Sequence, residues 1–138
     1  MMLKIDAMCA DVIMKECEQI QSFLEADYPI DEPAACEAKG KDLEVYMARS
    51  GKMLADAKYW QDQFVNSAIS ETVKEALMAQ KMWSISLVNK KVDALAKDYN
   101  YLVNWCDRIN RTCTHQLDFI RTMLSKHKAE MQMNGYGR

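Results

Sequence analysis

The chain has 138 residues, enough for one domain with a modest core. Its formal net charge of −2 gives no bulk electrostatic footprint for nucleic acid or an anionic membrane, although a local basic patch stays open. With 49% hydrophobic residues, four Gly, two Pro and no alternating β-branched or aromatic runs, the composition points to few, long helices and against strands.

The fold expected is all-α: an elongated antiparallel bundle of three main helices, over residues 5–27, 32–67 and 86–132, in a single domain. The first helix carries Ile5, Met8, Cys9, Val12, Ile13, Cys17, Ile20, Phe23 and Leu24 at steps of three and four. Tyr28-Pro29 ends it, because a residue before proline avoids the α region. Asp31 is the expected N-cap of the second helix, with Pro33 fitting an early position. Leu43, Met47, Leu54, Ala57 and Phe64 mark its apolar face. Gly40 and Gly51 lie inside this pattern, and Ala48, Gly51 and Ala55 form a small-residue stripe. Close approach of a neighbouring helix is the reading preferred for that stripe over a kink. Residues 68–85 read either as a short helix capped near Ser70 or as a continuation of the second helix.

Ser84 or Ser86 is the expected cap of the last helix. From there Val88, Val92, Leu95, Tyr99, Leu102, Cys106, Ile109, Cys113, Gln116, Ile120 and Met123 recur at steps of four and three, the a/d line of a coiled coil. A helix of this extent measures on the order of 65 Å at ~1.5 Å per residue. Residues 133–138 are expected as a flexible tail. Helix one is too short to cover the long helix, so a partner is expected on what remains. A homo-oligomer, a dimer first, is the simplest choice, with Trp83, Val88, Val92, Leu95, Tyr99 and Leu102 as interface candidates.

A second, polar line runs beside the apolar one: Asn104, Arg108, Arg111, His115, Asp118 and Thr122. Two guanidinium groups and an imidazole on one face suit a phosphate or carboxylate, because guanidinium is a planar bidentate donor. Trp105 and Tyr101 lie close enough in sequence to stack on a base. An antiparallel register would add Lys58 and Trp60. The competing reading is a structural network in which Arg108 and Arg111 pair with acids of the first two helices. His115 with Asp118 is also the one spacing suited to a general base, which keeps an enzyme as a minor alternative.

Five cysteines, none in a CxxC, read as small buried apolar residues of a reducing compartment. Zinc held by Cys106, Cys113 and His115 lacks a fourth ligand, so no metal and no cofactor are expected. His127 reads as a solvated last-turn residue. No leader pattern follows Met1 and no apolar run spans a bilayer, which implies a cytoplasmic chain that does not enter membranes. Nucleotide-binding glycine motifs, HEXXH and EF-hand loops are absent from the sequence.

The stretches Val45-Tyr46-Met47-Ala48-Arg49-Ser50-Gly51-Lys52-Met53-Leu54-Ala55-Asp56-Ala57-Lys58 and Tyr101-Leu102-Val103-Asn104-Trp105-Cys106-Asp107-Arg108-Ile109-Asn110-Arg111-Thr112-Cys113-Thr114-His115-Gln116-Leu117 resemble small helical proteins encoded in prophages and other mobile elements of gut bacteria. That group has no established activity to transfer, and the resemblance implies a phage accessory role such as DNA metabolism or counter-defence. The expected function is a non-enzymatic helical accessory protein that self-associates and binds an unidentified protein or other macromolecule. A nucleic-acid or phosphate-ligand module built on Arg108, Arg111 and His115 is the runner-up.

Overall fold

A computed structural model describes residues 2–136 as four helices: α1 (Ala10–Glu25), α2 (Pro33–Met78), α3 (Ile85–Leu95) and α4 (Lys97–Tyr136). The described residues form no strand, so the chain is all-α. α1 begins later than its apolar pattern suggests. The backbone N–H of Met8 is taken by Asp56 at 3.1 Å, and the Met8 carbonyl accepts from the Trp60 indole at 2.7 Å. Both groups are thereby held by α2, and the first helical bond runs from Ile13 to the Cys9 carbonyl. α2 starts after Glu32, not Asp31, without a side-chain cap.

α2 does not stop near Ser67. Ala68 and Thr72 are buried, and this tertiary packing carries the helix through Ser67 and Ser70 to Met78. It ends in a Schellman turn, with Lys81 N–H on the Ala76 carbonyl and Gln80 N–H on that of Leu77. Gln80 occupies the left-handed position at φ 52°. Ser84 then caps α3 by accepting from the Leu87 N–H at 3.1 Å. The last helix, expected as one piece, is interrupted at Ala96, where φ is −86° and ψ 6°. It also runs past its expected end through Asn134 and Gly135; Gly137 and Arg138 lie outside the described residues.

The long hairpin of α2 against α3 and α4 is antiparallel. Its register is fixed by Lys91 to Glu75, Gln61 to Asn100, and Asn110 to both the Met47 carbonyl and Ser50. α1 lies in one groove of this hairpin and touches α2 and α4 but not α3. Ile13, Cys17, Ile20 and Leu24 form its inward stripe at steps of four, three and four. They meet Cys36, Leu43, Met53 and Ala57 of α2 and Leu102, Cys106, Ile109, Cys113, Leu117 and Ile120 of α4. Full burial of each large aliphatic side chain contributes about 1.5–3 kcal/mol.

Many of the buried positions are small, among them Cys17, Cys36, Ser50, Ala57, Cys106 and Cys113, which lets the helices pack closely. Gly40 marks the tightest approach: a Cβ there would sit 3.3 Å from Ile120 Cγ2. The stripe of Ala48, Gly51 and Ala55 is instead solvent-exposed, with Asn110 of α4 in ordinary contact distance of Gly51, so no tight helix crossing uses it. Beyond Trp60 the hairpin has only two layers. This arm of two helices leaves its apolar flanks and its tip uncovered. Among the described residues no helix is long and apolar enough to cross a membrane.

Candidate functional site

The heptad line of the last helix turns inward, and that rotation decides where its polar line goes. With Cys106, Ile109 and Cys113 in the core, Asn104, Arg108, Arg111 and His115 emerge on the opposite side of α4. Together with Asp107 and Thr112 they line an open hollow of about 510 Å³ formed by this one helix. Arg111 Nε contacts Asp107 Oδ2 at 3.2 Å, one turn back along the same helix. The network expected between these arginines and the acids of the first two helices does not form. Arg108 makes no ion pair among the described residues.

Trp105 turns toward α1, where its indole N–H donates to Gln21 Oε1 at 3.1 Å. Tyr101 stays mostly exposed, with its ring centroid 5.9 Å from that of Trp105. Tyr101, Asn104, Trp105 and Arg108 line a second hollow of about 300 Å³. Arg108 therefore stands between an aromatic pair on one side and Arg111 with His115 on the other. Chemically this face offers planar cationic donors and an exposed ring, a set suited to holding an anion.

Lys58 and Trp60 do not join it. The pairs Gln61–Asn100 and Asn110–Ser50 put Lys58 level with the start of the polar line, on the outer side of α2. Trp60 is engaged with Met8. Asp118 pairs with Arg121 at 3.3 Å, and no hydrogen bond joins it to the exposed His115. Cys106 and Cys113 are buried on the inner side while His115 is exposed on the outer one, so these three do not converge.

The expected interface residues are also distributed by that rotation. Val92 and Leu102 are buried within the chain itself, and Trp83, Val88 and Tyr99 are half-covered. Lys91 sits over the Trp83 ring at 4.6 Å, and Tyr99 packs against Phe64. Only Leu95 of the set is largely exposed.

Several polar residues hold defined positions that their sequence pattern did not assign. Lys39 is buried and donates to the Phe23 carbonyl at 2.6 Å, with the Phe23 ring 3.8 Å away. It thus satisfies the C-terminal end of α1 with a positive charge, and burial lowers its pKa. Asp56 is buried where it anchors the Met8 N–H and also pairs with Lys52 at 2.6 Å. Both residues stand at apolar-face spacing, Cys36-Lys39-Leu43 and Met53-Asp56-Trp60, which is the signal that marks them. Arg49 grips both oxygens of Glu16 at 2.7 and 2.8 Å. His127 is buried, with Nε2 2.9 Å from the Ile30 carbonyl, and so ties α4 to the first loop instead of facing solvent.

The cysteines are free, and four of the five are buried. Cys17 and Cys106 touch across α1 and α4, Sγ to Sγ 3.6 Å. Their hydrogen bond, with burial, pushes the Cys17 thiol far above its ordinary pKa, and the same bond draws that of Cys106 down against the effect of burial. Burial raises the Cys36 and Cys113 thiols.

Compared with protein-family models, with curated proteins and with solved structures, the chain matches none.

Proposed function

We propose that the chain is a non-enzymatic helical accessory protein of phage or mobile-element origin that self-associates and binds a macromolecular partner. The observation that carries this reading is the uncovered tip of the hairpin arm. Leu77, Met78, Met82 and Ile85 are 73%, 88%, 102% and 81% exposed within nine consecutive positions. Large apolar side chains gathered in this way mark an interaction surface, and methionine adapts to irregular partners. The exposed His115, together with an Asp118 that pairs with Arg121 instead, favours binding over catalysis. The prophage-like stretches around Gly51 and Cys106 support the origin.

Sedimentation equilibrium over a rising concentration series tests self-association. A strict monomer at several hundred micromolar overturns it. For the tip, Leu77→Glu with Met82→Glu is expected to suppress binding of an environment-sensitive apolar dye while helicity holds. Undiminished dye binding removes the tip as the reason for this reading.

A second reading has its own observation. Arg108 lacks a carboxylate partner and shares an open hollow with Arg111 and His115, which favours a phosphate-bearing ligand or nucleic acid. Titration of the protein against labelled single- and double-stranded DNA tests it. Binding abolished by Arg108→Ala with Arg111→Ala supports it, and no binding by the unaltered chain at low salt rejects it.

A further inference from the structure

We propose that a second copy of this chain packs against the outer face of α2, antiparallel to it, about a two-fold axis level with Trp60. The inference rests on the self-association reading and says where the two copies meet.

The face is set by helix geometry. α1 and the segment leading into it contact α2 through Arg49, Asp56 and Trp60. Ile69 lies nine residues beyond Trp60, and Val65 nine beyond Asp56, in each case about two and a half turns and so the opposite side of the helix. Ile69 and Val73 are 38% and 43% exposed on that side, with Val65 half-covered beside them. Gly51 and Ala55 precede Ile69 and Val73 by 18 residues, about five whole turns, and therefore share their face. One side of α2 thus carries a small-residue half, Ala48, Gly51 and Ala55, and a bulky half, Val65, Ile69 and Val73. Between them stand Lys58 and Asp62, both exposed and in no ion pair among the described residues.

An identical helix laid antiparallel on this face, centred on Trp60, complements it throughout. Gly51 of one copy comes level with Ile69 of the other and Ala55 with Val65, while Val73 falls within one residue of Ala48. The bulky half of each helix fills the low half of its partner. At the centre Lys58 of one copy meets Asp62 of the other, and the two-fold repeats the pair in reverse. Such self-complementarity is what an isologous interface requires. It also accounts for an exposed Gly51 inside a helix, where glycine has no intramolecular use. α1 lies on the far side of the hairpin and does not obstruct the approach.

The test is a charge exchange followed by sedimentation velocity. Lys58→Asp alone and Asp62→Lys alone each turn two attractions into two repulsions, and each is expected to raise the dimer dissociation constant at least ~10-fold. The double variant Lys58→Asp with Asp62→Lys restores both pairs with their signs reversed, and its constant is expected to return to within ~3-fold of the unaltered chain. Ile69→Asp is expected to abolish the dimer with unchanged helicity. A dimer that ignores all four variants overturns this interface and leaves self-association standing. A double variant no better than the singles overturns the antiparallel pairing. An unaltered chain that stays monomeric removes both the interface and the reading beneath it.

Discussion

Gly40 and Gly51 sit in the same helix and yet alanine should stabilise the chain only at Gly51. Glycine in a helix interior costs about 0.5–1 kcal/mol relative to alanine. At Gly51 the added Cβ meets only Asn110 Nδ2 at 3.8 Å, an ordinary contact, so Gly51→Ala should recover that full amount. At Gly40 the Cβ lies 3.3 Å from Ile120 Cγ2 and 3.8 Å from Leu117 Cδ1. Ile120 is almost wholly buried and cannot swing out, and overpacking of this kind costs about 1–3 kcal/mol. Gly40→Ala should therefore range from neutral to about 2 kcal/mol less stable, the propensity gain offsetting part of the crowding. The gap between the variants, about 1–3 kcal/mol, corresponds to roughly 4 °C in Tm per kcal/mol for a chain of this size. Urea denaturation followed by far-ultraviolet circular dichroism measures it, at the lowest usable concentration so that chain–chain contacts do not contribute. If Gly40→Ala stabilises as much as Gly51→Ala, the α2–α4 crossing is looser than described and the reasoning fails.

Gln80→Gly should stabilise the chain by about 1 kcal/mol, because the left-handed position at the end of α2 disfavours a side chain; a lowered urea midpoint would refute this. Lys39→Ala should cost about 1–3 kcal/mol through loss of the charged bond to the Phe23 carbonyl, with amide exchange rising first in α1; uniform protection across all helices would contradict that order. The thiols of Cys36 and Cys113, raised by burial, make stability depend on alkaline pH. Their contribution is complete below the unfolded thiol pKa of 9.0 and is lost as pH rises above it, since the unfolded chain then gives up protons that the folded one keeps. Under reducing conditions the loss should be at most about 1 kcal/mol per thiol by pH 10, smaller in Cys113→Ala, and a flat profile between pH 8 and 10 would count against it. Arg108→Ala with Arg111→Ala should change stability by less than about 0.5 kcal/mol, because both side chains face solvent and the Arg111–Asp107 pair is exposed; a larger loss would mean that they serve the fold.

The helical class and the inward seam were legible because periodicity is a direct record of burial. Val92, Leu102, Cys106, Ile109, Cys113 and Ile120 stand in the core where the four-three spacing puts them. The polar line of Asn104, Arg108, Arg111 and His115 was legible too, but its surroundings were not. Spacing gives the angle between two stripes on a helix, and says nothing of what faces the second one. The break at Ala96 carries no proline or glycine to announce it. The run of α2 through Ser67 and Ser70 reflects tertiary packing that overrides weak local preferences. Lys39 and Asp56 were passed over, and His127 was read as solvated, because charged types are expected at the surface. Each is held inside by a backbone partner, the Phe23 carbonyl, the Met8 N–H or the Ile30 carbonyl, that no residue pattern displays.

The Cys17–Cys106 contact gives the chain a built-in recorder of its own breathing. Each sulfur screens the other, so a thiol reagent reaches them only while α1 is lifted from α4. When reclosing is fast, the labelling rate is the open fraction multiplied by the free-thiol rate, and it converts directly into the free energy that docks α1. A sulfur once alkylated no longer fits between the two helices. An opening caught in this way is irreversible, and the share of chains carrying added mass at Cys17 or Cys106 records how many first helices have let go.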